Sequence, residues 1–88
     1  MKVYFVYCST HDFIDDTADE ILLGVYSTIE KAINARLGYF EAEIEDCTKD
    51  GLPYLASVDR CGNPYISRLA DKYLVAKDVY KIKECHVA

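Results

Sequence analysis

The sequence lacks features that would place it in several common classes of protein. No apolar run approaches the length of a membrane span, and the stretch MKVYFVYCST has one lysine and too short an apolar segment for a signal peptide. No glycine-rich phosphate-binding loop is present, and the aspartates from Asp12 to Asp19 lack the spacing and central glycine of a calcium loop. We therefore expect a cytoplasmic protein that uses neither a membrane nor a cofactor.

Basic residues are also scarce. Ten lysines and arginines stand against 15 aspartates and glutamates, which gives a net charge of −5 and a pI near 4.8. Because binding to a phosphate backbone relies on clustered lysine and arginine, this composition argues against direct nucleic-acid binding. The same negative charge permits binding to a protein partner with a basic surface.

The sequence has four cysteines, and without an export signal we interpret them as reduced thiols: Cys8, Cys47, Cys61 and Cys85. Cys8 and His11 have the spacing of metal ligands. Cys85 and His86 are adjacent, and adjacent residues of a strand point to opposite faces, so these two would not converge on one zinc ion. A Cys/His nucleophile would lack an oxyanion loop and an orienting residue. We predict a protein that is not an enzyme and holds no metal, with a Cys/His metal protein as an alternative.

The N-terminal part of the chain predicts two strands. A length of 88 residues fits one domain, which we place over residues 1–88. Lys2–Cys8 is apolar on both faces, as is typical of a central strand. Glu20–Ser27 predicts a second strand with a bulge or close approach at Gly24, and the acidic stretch Thr10–Glu20 predicts an irregular connection.

A long helix follows the second predicted strand. Ser27 lies at the position of an N-cap, and Glu30 would complete a capping box. An apolar stripe then recurs at helical spacing, formed by Ile29, Ile33, Leu37, Phe40, Ile44 and Cys47. An interior Gly38 costs roughly 1 kcal/mol, which is small beside the burial of this stripe. With Gly51 as the C-terminal cap, we predict one unbroken helix over about residues 28–49.

The last third of the chain predicts further strands. Leu52–Val58 and Pro64–Leu69 can form a hairpin around Gly62, although a helix that begins at Pro64 is a rival interpretation. Asp78–Ala88 alternates apolar and charged residues, as a half-buried strand does. We therefore predict an α+β fold in which a small antiparallel sheet of three to five strands packs on one long helix.

The N-terminal half also carries a resemblance. The pairing of KVYFVY with GVYSTIEKA resembles a loose group of small, uncharacterised bacterial and phage domains with the order strand, strand, helix, strand. The resemblance covers about the first half of the chain. It implies that order of elements here and assigns no residue a catalytic role.

Carboxylates crowd the C-terminal half of the predicted helix, where the helix dipole favours cations and where Glu41 and Glu45 repel each other. A functional surface is one explanation for a charge pattern that costs local stability without a visible return. The competing interpretation is that these carboxylates only keep the surface solvated. Together with the predicted acidic connection, the partner-binding residues are predicted to be Asp12, Asp15, Asp16, Asp19, Glu41, Glu43, Glu45, Asp46 and Asp50.

Eight tyrosines without a tryptophan point to an interface as well, because tyrosine combines apolar area with a polar tip. One helix covers only one face of a sheet, so the segment 52–69, a second copy or a partner must cover the other face.

We therefore hypothesise a non-catalytic acidic module that binds a protein with a basic surface. Such a module could act as a phage or mobile-element inhibitor of the anti-CRISPR or other anti-defence type, which blocks a basic nucleic-acid-binding surface by imitating nucleic acid. A self-associating structural domain, such as a homodimer, is the alternative.

Overall fold

The computed structural model describes residues 1–87, in which five strands form one antiparallel sheet covered by a helix. Strands β1 (Lys2–Asp12) and β2 (Thr17–Tyr26) form a hairpin that leads into helix α1 (Ile29–Lys49). Strands β3 (Tyr54–Val58), β4 (Pro64–Ala70) and β5 (Tyr73–His86) then form a meander. This architecture confirms the predicted α+β class. Ala88, which belongs to the last predicted strand, lies outside the described residues.

The strand order β2-β1-β5-β4-β3 joins the two ends of the chain at the centre of the sheet. Strand β5 pairs with β1 from Lys2 opposite His86 to Asp12 opposite Ala76. Its other side pairs with β4, so β5 and β1 are both flanked by strands, as the apolar pattern of Lys2–Cys8 predicts for a central strand. The outer strands β2 and β3 form the two edges.

The irregular connection predicted over Thr10–Glu20 is wrong, because the strands continue through most of it. Strand β1 runs to Asp12, β2 starts at Thr17, and only residues 13–16 form a turn. The Asp12 carboxylate closes this turn by accepting hydrogen bonds from the backbone N–H of Ile14 (2.9 Å) and Asp15 (3.2 Å). Asp16 adopts a positive φ of 52°, which aspartate tolerates better than most residues. The aspartates therefore make a tight hairpin rather than a loose loop.

Helix α1 is continuous through Gly38, as predicted, but its cap differs by one residue. Ser27 was predicted as the N-cap, whereas Thr28 takes that place and its Oγ1 accepts a hydrogen bond from the Lys31 N–H at 3.2 Å. The backbone of Thr28 is still extended (φ −132°, ψ 154°), so the helix starts one residue later than a Ser27 cap requires. No helix within residues 1–87 is both long and apolar enough to cross a membrane.

The face that α1 turns to the sheet differs from the predicted apolar stripe. Phe40 and Ile44 pack on the core of Cys8, Ile66 and Tyr80.

In contrast, the first three residues of the stripe remain 37–49% exposed: Ile29, Ile33 and Leu37. At about 100° per residue, each step of four advances the side chain by about 40° beyond a full turn, so Ile33 and Leu37 rotate away from the sheet. Along the centre of the inner face lie Ala32, Arg36, Phe40, Glu43 and Cys47, each at least half-buried. Because Arg36 and Glu43 are charged, the spacing of apolar residues alone does not predict this inner face.

The predicted hairpin between Leu52 and Leu69 is confirmed, and the rival helix is not formed. The turn between β3 and β4 is held by the Asp59 carboxylate, which accepts from the backbone N–H of Cys61 and of Asn63, both at 2.9 Å. Gly62 supplies the expected left-handed residue, with φ +84°. The predicted bulge at Gly24 is also confirmed, because the register between β1 and β2 shifts directly beside it.

Replacing a glycine by alanine should have opposite effects on stability within α1 and at its end. A Cβ at Gly38 meets open space, so we expect Gly38→Ala to raise the free energy of unfolding by about 0.5–1 kcal/mol. Gly51 adopts φ +66° at the helix end, so Gly51→Ala should lower it by about 1 kcal/mol. Urea denaturation of both variants measures these changes in the free energy of unfolding. A destabilised Gly38→Ala would contradict the continuous, open-faced helix described above.

Candidate functional site

The predicted acidic residues of the first hairpin lie around its turn. The side chains of Asp15, Asp16 and Asp19 are exposed, while Asp12 is half-buried by its hydrogen bonds to the turn. Asp16 lies 3.3 Å from the Nε2 atom of His11, an exposed pair that contributes little to stability. Asp19 pairs with Thr10 and therefore lies on the side of the sheet that α1 covers.

The predicted acidic residues of the helix are divided between its outer and inner sides. Glu41, Glu45, Asp46 and Asp50 are exposed. No salt bridge within residues 1–87 involves these four, so their charges are free to face a partner.

The structure brings the hairpin turn and the helix end to the same end of the sheet. Asp12 pairs with Ala76, Ala76 with Arg68, and Arg68 with Tyr54. The Oγ1 atom of Thr48, near the end of α1, lies 3.5 Å from the Tyr54 hydroxyl. These four neighbouring strands span roughly 14 Å, so both sets of carboxylates fit within one interface.

We call this surface the acidic end. It comprises Asp12, Asp15, Asp16, Asp19, Glu41, Glu45, Asp46 and Asp50.

Exposed apolar side chains lie among these carboxylates. Phe13 and Ile14 form the tip of the first hairpin and are 40% and 74% exposed. Tyr73 and Leu74 begin β5 and are 70% and 44% exposed. The Phe13 N–H donates to the Val75 carbonyl at 2.9 Å, which places the hairpin tip beside the start of β5. Apolar and aromatic side chains surrounded by charges are typical of a protein interface.

Glu43, which was predicted among the partner-binding residues, does not belong to the acidic end. Its side chain is only 13% exposed and points between α1 and the sheet. Its Oε2 atom accepts from Arg68 at 3.1 Å, and its Oε1 atom accepts from the Tyr80 hydroxyl. Because α1 turns Ala32, Phe40 and Glu43 to the same side, the carboxylate is buried whereas Glu41 and Glu45 are not.

A second carboxylate shares the Arg68 guanidinium with Glu43. The Arg68 Nη2 atom donates to Asp78 Oδ2 at 2.8 Å, and the Asp78 side chain is 7% exposed. One guanidinium cannot neutralise two buried carboxylates. Burial, together with the neighbouring Asp78, therefore raises the pKa of Glu43 to about 7.

Local patterns in the sequence do not predict this polar cluster, because its members come from three separate elements, α1, β4 and β5. The cluster consists of Glu43, Arg68, Asp78 and Tyr80. The only signal was the position of Glu43 on the helix face that also carries Phe40 and Cys47.

The cluster borders a cavity of about 230 Å³ but carries no activated nucleophile among its described residues. Burial is the main cause that raises the pKa of the Cys8 thiol to about 12, so this thiol stays protonated at neutral pH. Burial and the hydrogen bond to Glu43 also raise the pKa of Tyr80. The chemistry that this arrangement offers near neutral pH is the uptake or release of a proton at Glu43.

The structure separates the residues of the zinc alternative. Cys8 pairs with Tyr80 and Cys85 with Val3, so the two cysteines are about 17 Å apart along the sheet. All four cysteines are unpaired. Within the described part of the chain, no group of three or more histidine, cysteine, aspartate or glutamate side chains is arranged to hold a metal ion.

Comparison with known proteins does not add to this description. No protein-family model matches the chain, and neither the curated proteins nor the solved structures include a significant match. The resemblance of the N-terminal half to small bacterial and phage domains stays a prediction.

The raised pKa of Glu43 makes stability depend on pH. An unfolded glutamate has a pKa near 4.5 and folded Glu43 one of about 7, so the folded state binds more protons between these values. We expect the stabilisation present below about pH 4.5 to be lost as the pH rises to about 7, by up to about 3 kcal/mol. In urea denaturation at a series of pH values, Glu43→Gln should flatten this dependence.

Glu41→Gln is the matched control, because Glu41 lies on the same helix with its side chain in solvent. It should keep the pH dependence of the unmodified chain. Parallel pH profiles for Glu43→Gln and the unmodified chain would contradict the assignment.

Proposed function

We propose that the chain is a non-catalytic binding module whose acidic end engages a protein with a basic surface. The observation that carries the proposal is the combination of exposed carboxylates with the exposed side chains of Phe13, Ile14, Tyr73 and Leu74 at one end of the sheet. Carboxylates provide charge complementarity and speed association, while the apolar residues supply the buried area that affinity requires.

The specific role that we propose for this module is that of an inhibitor that occupies a basic nucleic-acid-binding cleft. The carboxylates of α1 repeat along an exposed helical surface, and those of the hairpin extend this negative surface across neighbouring strands. A partner that evolved to bind phosphates would meet a comparable row of negative charges. The phage or mobile-element origin of such an inhibitor, and an anti-CRISPR or other anti-defence role, belong to this proposal.

Two double variants test whether the acidic end binds the partner. Both change the net charge of the chain by the same amount. Glu41→Gln with Glu45→Gln removes two of the eight carboxylates of the acidic end, whereas Glu30→Gln with Glu84→Gln removes two exposed carboxylates elsewhere. We expect the first pair to weaken binding to an isolated partner by roughly tenfold and the second to have little effect. Immobilised chain captures the partner from host lysate, and surface plasmon resonance with the purified partner measures the affinities.

The inhibitory role predicts one more result for the same variants. The unmodified chain should displace a labelled oligonucleotide from the purified partner, and the acidic-end variant should do so less well. If both double variants bind the partner with equal affinity and their thermal unfolding is unchanged, the acidic end is not part of the interface.

Self-association is the second candidate function, and the β2 edge favours it. Ile21, Leu22 and Val25 of this edge strand are each more than half exposed. A long edge strand with exposed apolar residues offers unpaired backbone groups to the same strand of a second copy.

A lysine substitution on each edge of the sheet tests whether copies of the chain associate through β2. If copies pair through β2, Leu22→Lys should shift the chain to a monomer, whereas Leu55→Lys on the β3 edge should leave the oligomer unchanged. Static light scattering over a range of concentrations gives the mass. A monomer at every concentration would dispose of the self-association candidate.

A further inference from the structure

The face of the sheet opposite α1 carries a different chemistry from the acidic end. Val6, Cys8, Ile66 and Tyr80 are buried beneath the helix. Side chains alternate along a strand, so the residues between these positions point to the opposite face. Nothing within residues 1–87 packs over that face.

Three lysines of β5 form a line along this open face. Lys77, Lys81 and Lys83 occupy odd-numbered positions, and the line extends roughly 20 Å. Lys77 and Lys81 are half-buried, and Lys83 is exposed. Lysine stems lie along apolar surface while their ammonium groups stay in water, so the three charges meet solvent on the open face of the sheet.

An aromatic column on β1 runs beside the lysines. The register places Phe5 opposite Lys83 and Tyr7 opposite Lys81, and both rings are half-buried with part of their surface in solvent. On the other side of β5, the Nζ atom of Lys77 lies 4.4 Å from the ring centroid of Tyr65. Rings and ammonium groups thus alternate across three adjacent strands, β1, β5 and β4. We call Phe5, Tyr7, Tyr65, Lys77, Lys81 and Lys83 the lysine face.

The acidic residues are largely segregated from this surface. Asp78 and Glu84 alternate with the lysines of β5 and therefore lie on the helix side. Among the described strand residues, Glu20 contributes a carboxylate to the open face, opposite Ser9. The lysine face is therefore locally positive although the whole chain has a net charge of −5.

We propose that the lysine face binds single-stranded nucleic acid, with bases stacked on Phe5, Tyr7 and Tyr65 and phosphates bound to the lysines of β5. Open sheets that display aromatic residues bind single-stranded RNA in this way, and a row of cations beside stacking rings is the common arrangement for single strands. A duplex fits less well, because its stacked bases are not free to lie on the rings.

Two other occupants of the face are less compatible with its charges. A second copy packed face to face about a twofold axis would bring the lysine lines of both copies into one interface, where they would repel each other. An acidic protein would satisfy the lysines but leave the aromatic column without stacking partners. The single strand uses both features.

This inference goes beyond the proposed function and uses a different surface. The acidic end engages a basic protein, whereas the lysine face takes a polyanion, so either can fail without the other. It also changes the expectation from composition, which argued against direct nucleic-acid binding.

Fluorescence anisotropy with a labelled oligothymidylate and a labelled oligouridylate of about 12 nucleotides tests the proposal. Protein is titrated to about 200 µM at low salt, which covers the usual range of non-specific affinities. We expect saturable binding, weaker binding to the matching duplex, and a slope of about −2 for log K against log salt concentration if the three lysines contact phosphates.

Matched variants distinguish the contribution of the lysine charges to binding from that of the aromatic rings. Lys81→Gln with Lys83→Gln should weaken binding by at least about tenfold and reduce the salt slope by about 1.4. Lys31→Gln with Lys49→Gln removes the same charge from α1 and should change neither. Tyr7→Leu should weaken binding by roughly fivefold or more, and Tyr7→Phe should preserve it, because stacking needs the ring and not the hydroxyl.

Circular dichroism of each variant must show an unchanged unfolding temperature. A ring variant that unfolds is replaced by Phe5→Leu with the same expectation, and a lysine variant that unfolds is replaced by Lys77→Gln, which removes one charge and should reduce the salt slope by about 0.7. No anisotropy change up to the highest concentration would overturn the proposal. Equal losses in the β5 and α1 lysine variants would also overturn it. So would a doubling of mass that the lysine variants enhance, or competition by polyglutamate as strong as by the oligonucleotide.

Discussion

The antiparallel pairing of β5 with β1 determines the surroundings of most other side chains in this protein. It joins residues from opposite ends of the chain, from Lys2 opposite His86 to Asp12 opposite Ala76. A slip of one residue in this register would exchange the two faces of β5. Asp78 and Tyr80 would then leave Glu43, and Lys77, Lys81 and Lys83 would turn under the helix. The polar cluster and the lysine face therefore depend on the same ladder.

The second constraint is that one helix covers one face of a five-stranded sheet. Beneath α1, the small core of Cys8, Ile66 and Tyr80 is extended by the charged cluster around Arg68. A paired buried cluster adds less stability than apolar packing of the same volume, but it is demanding in geometry. The rotation of α1 on the sheet is the one that lets Glu43 reach both Arg68 and Tyr80.

The uncovered face and the acidic end give the molecule two surfaces of opposite charge. A net charge averages over both, so it predicts neither the positive line on β5 nor its separation from the carboxylates. The separation results from strand alternation, which sends Lys81 and Lys83 to one side and Asp78 and Glu84 to the other. A basic protein at one end and a polyanion on the open face would occupy different surfaces.

Local sequence signals predicted the helix through Gly38, the left-handed turn at Gly62 and the bulge at Gly24. Each depends on the conformational preferences of residues close together in the chain, and such preferences act before tertiary contacts form. The short acidic turn was missed because the stretch contains no glycine or proline to mark it, although the Asp12 carboxylate accepts two local hydrogen bonds there, from the N–H groups of Ile14 and Asp15.

The sequence by itself determined the α+β class, the extent of the helix and the exposed carboxylates Glu41 and Glu45, because periodicity and capping are local properties. Only the tertiary structure decided that Glu43 is buried, that Arg68 binds two carboxylates, and that Phe5 and Tyr7 lie opposite Lys83 and Lys81. These arrangements join residues far apart in the chain. Their partners are selected by strand register and by the rotation of the helix, neither of which a local pattern encodes.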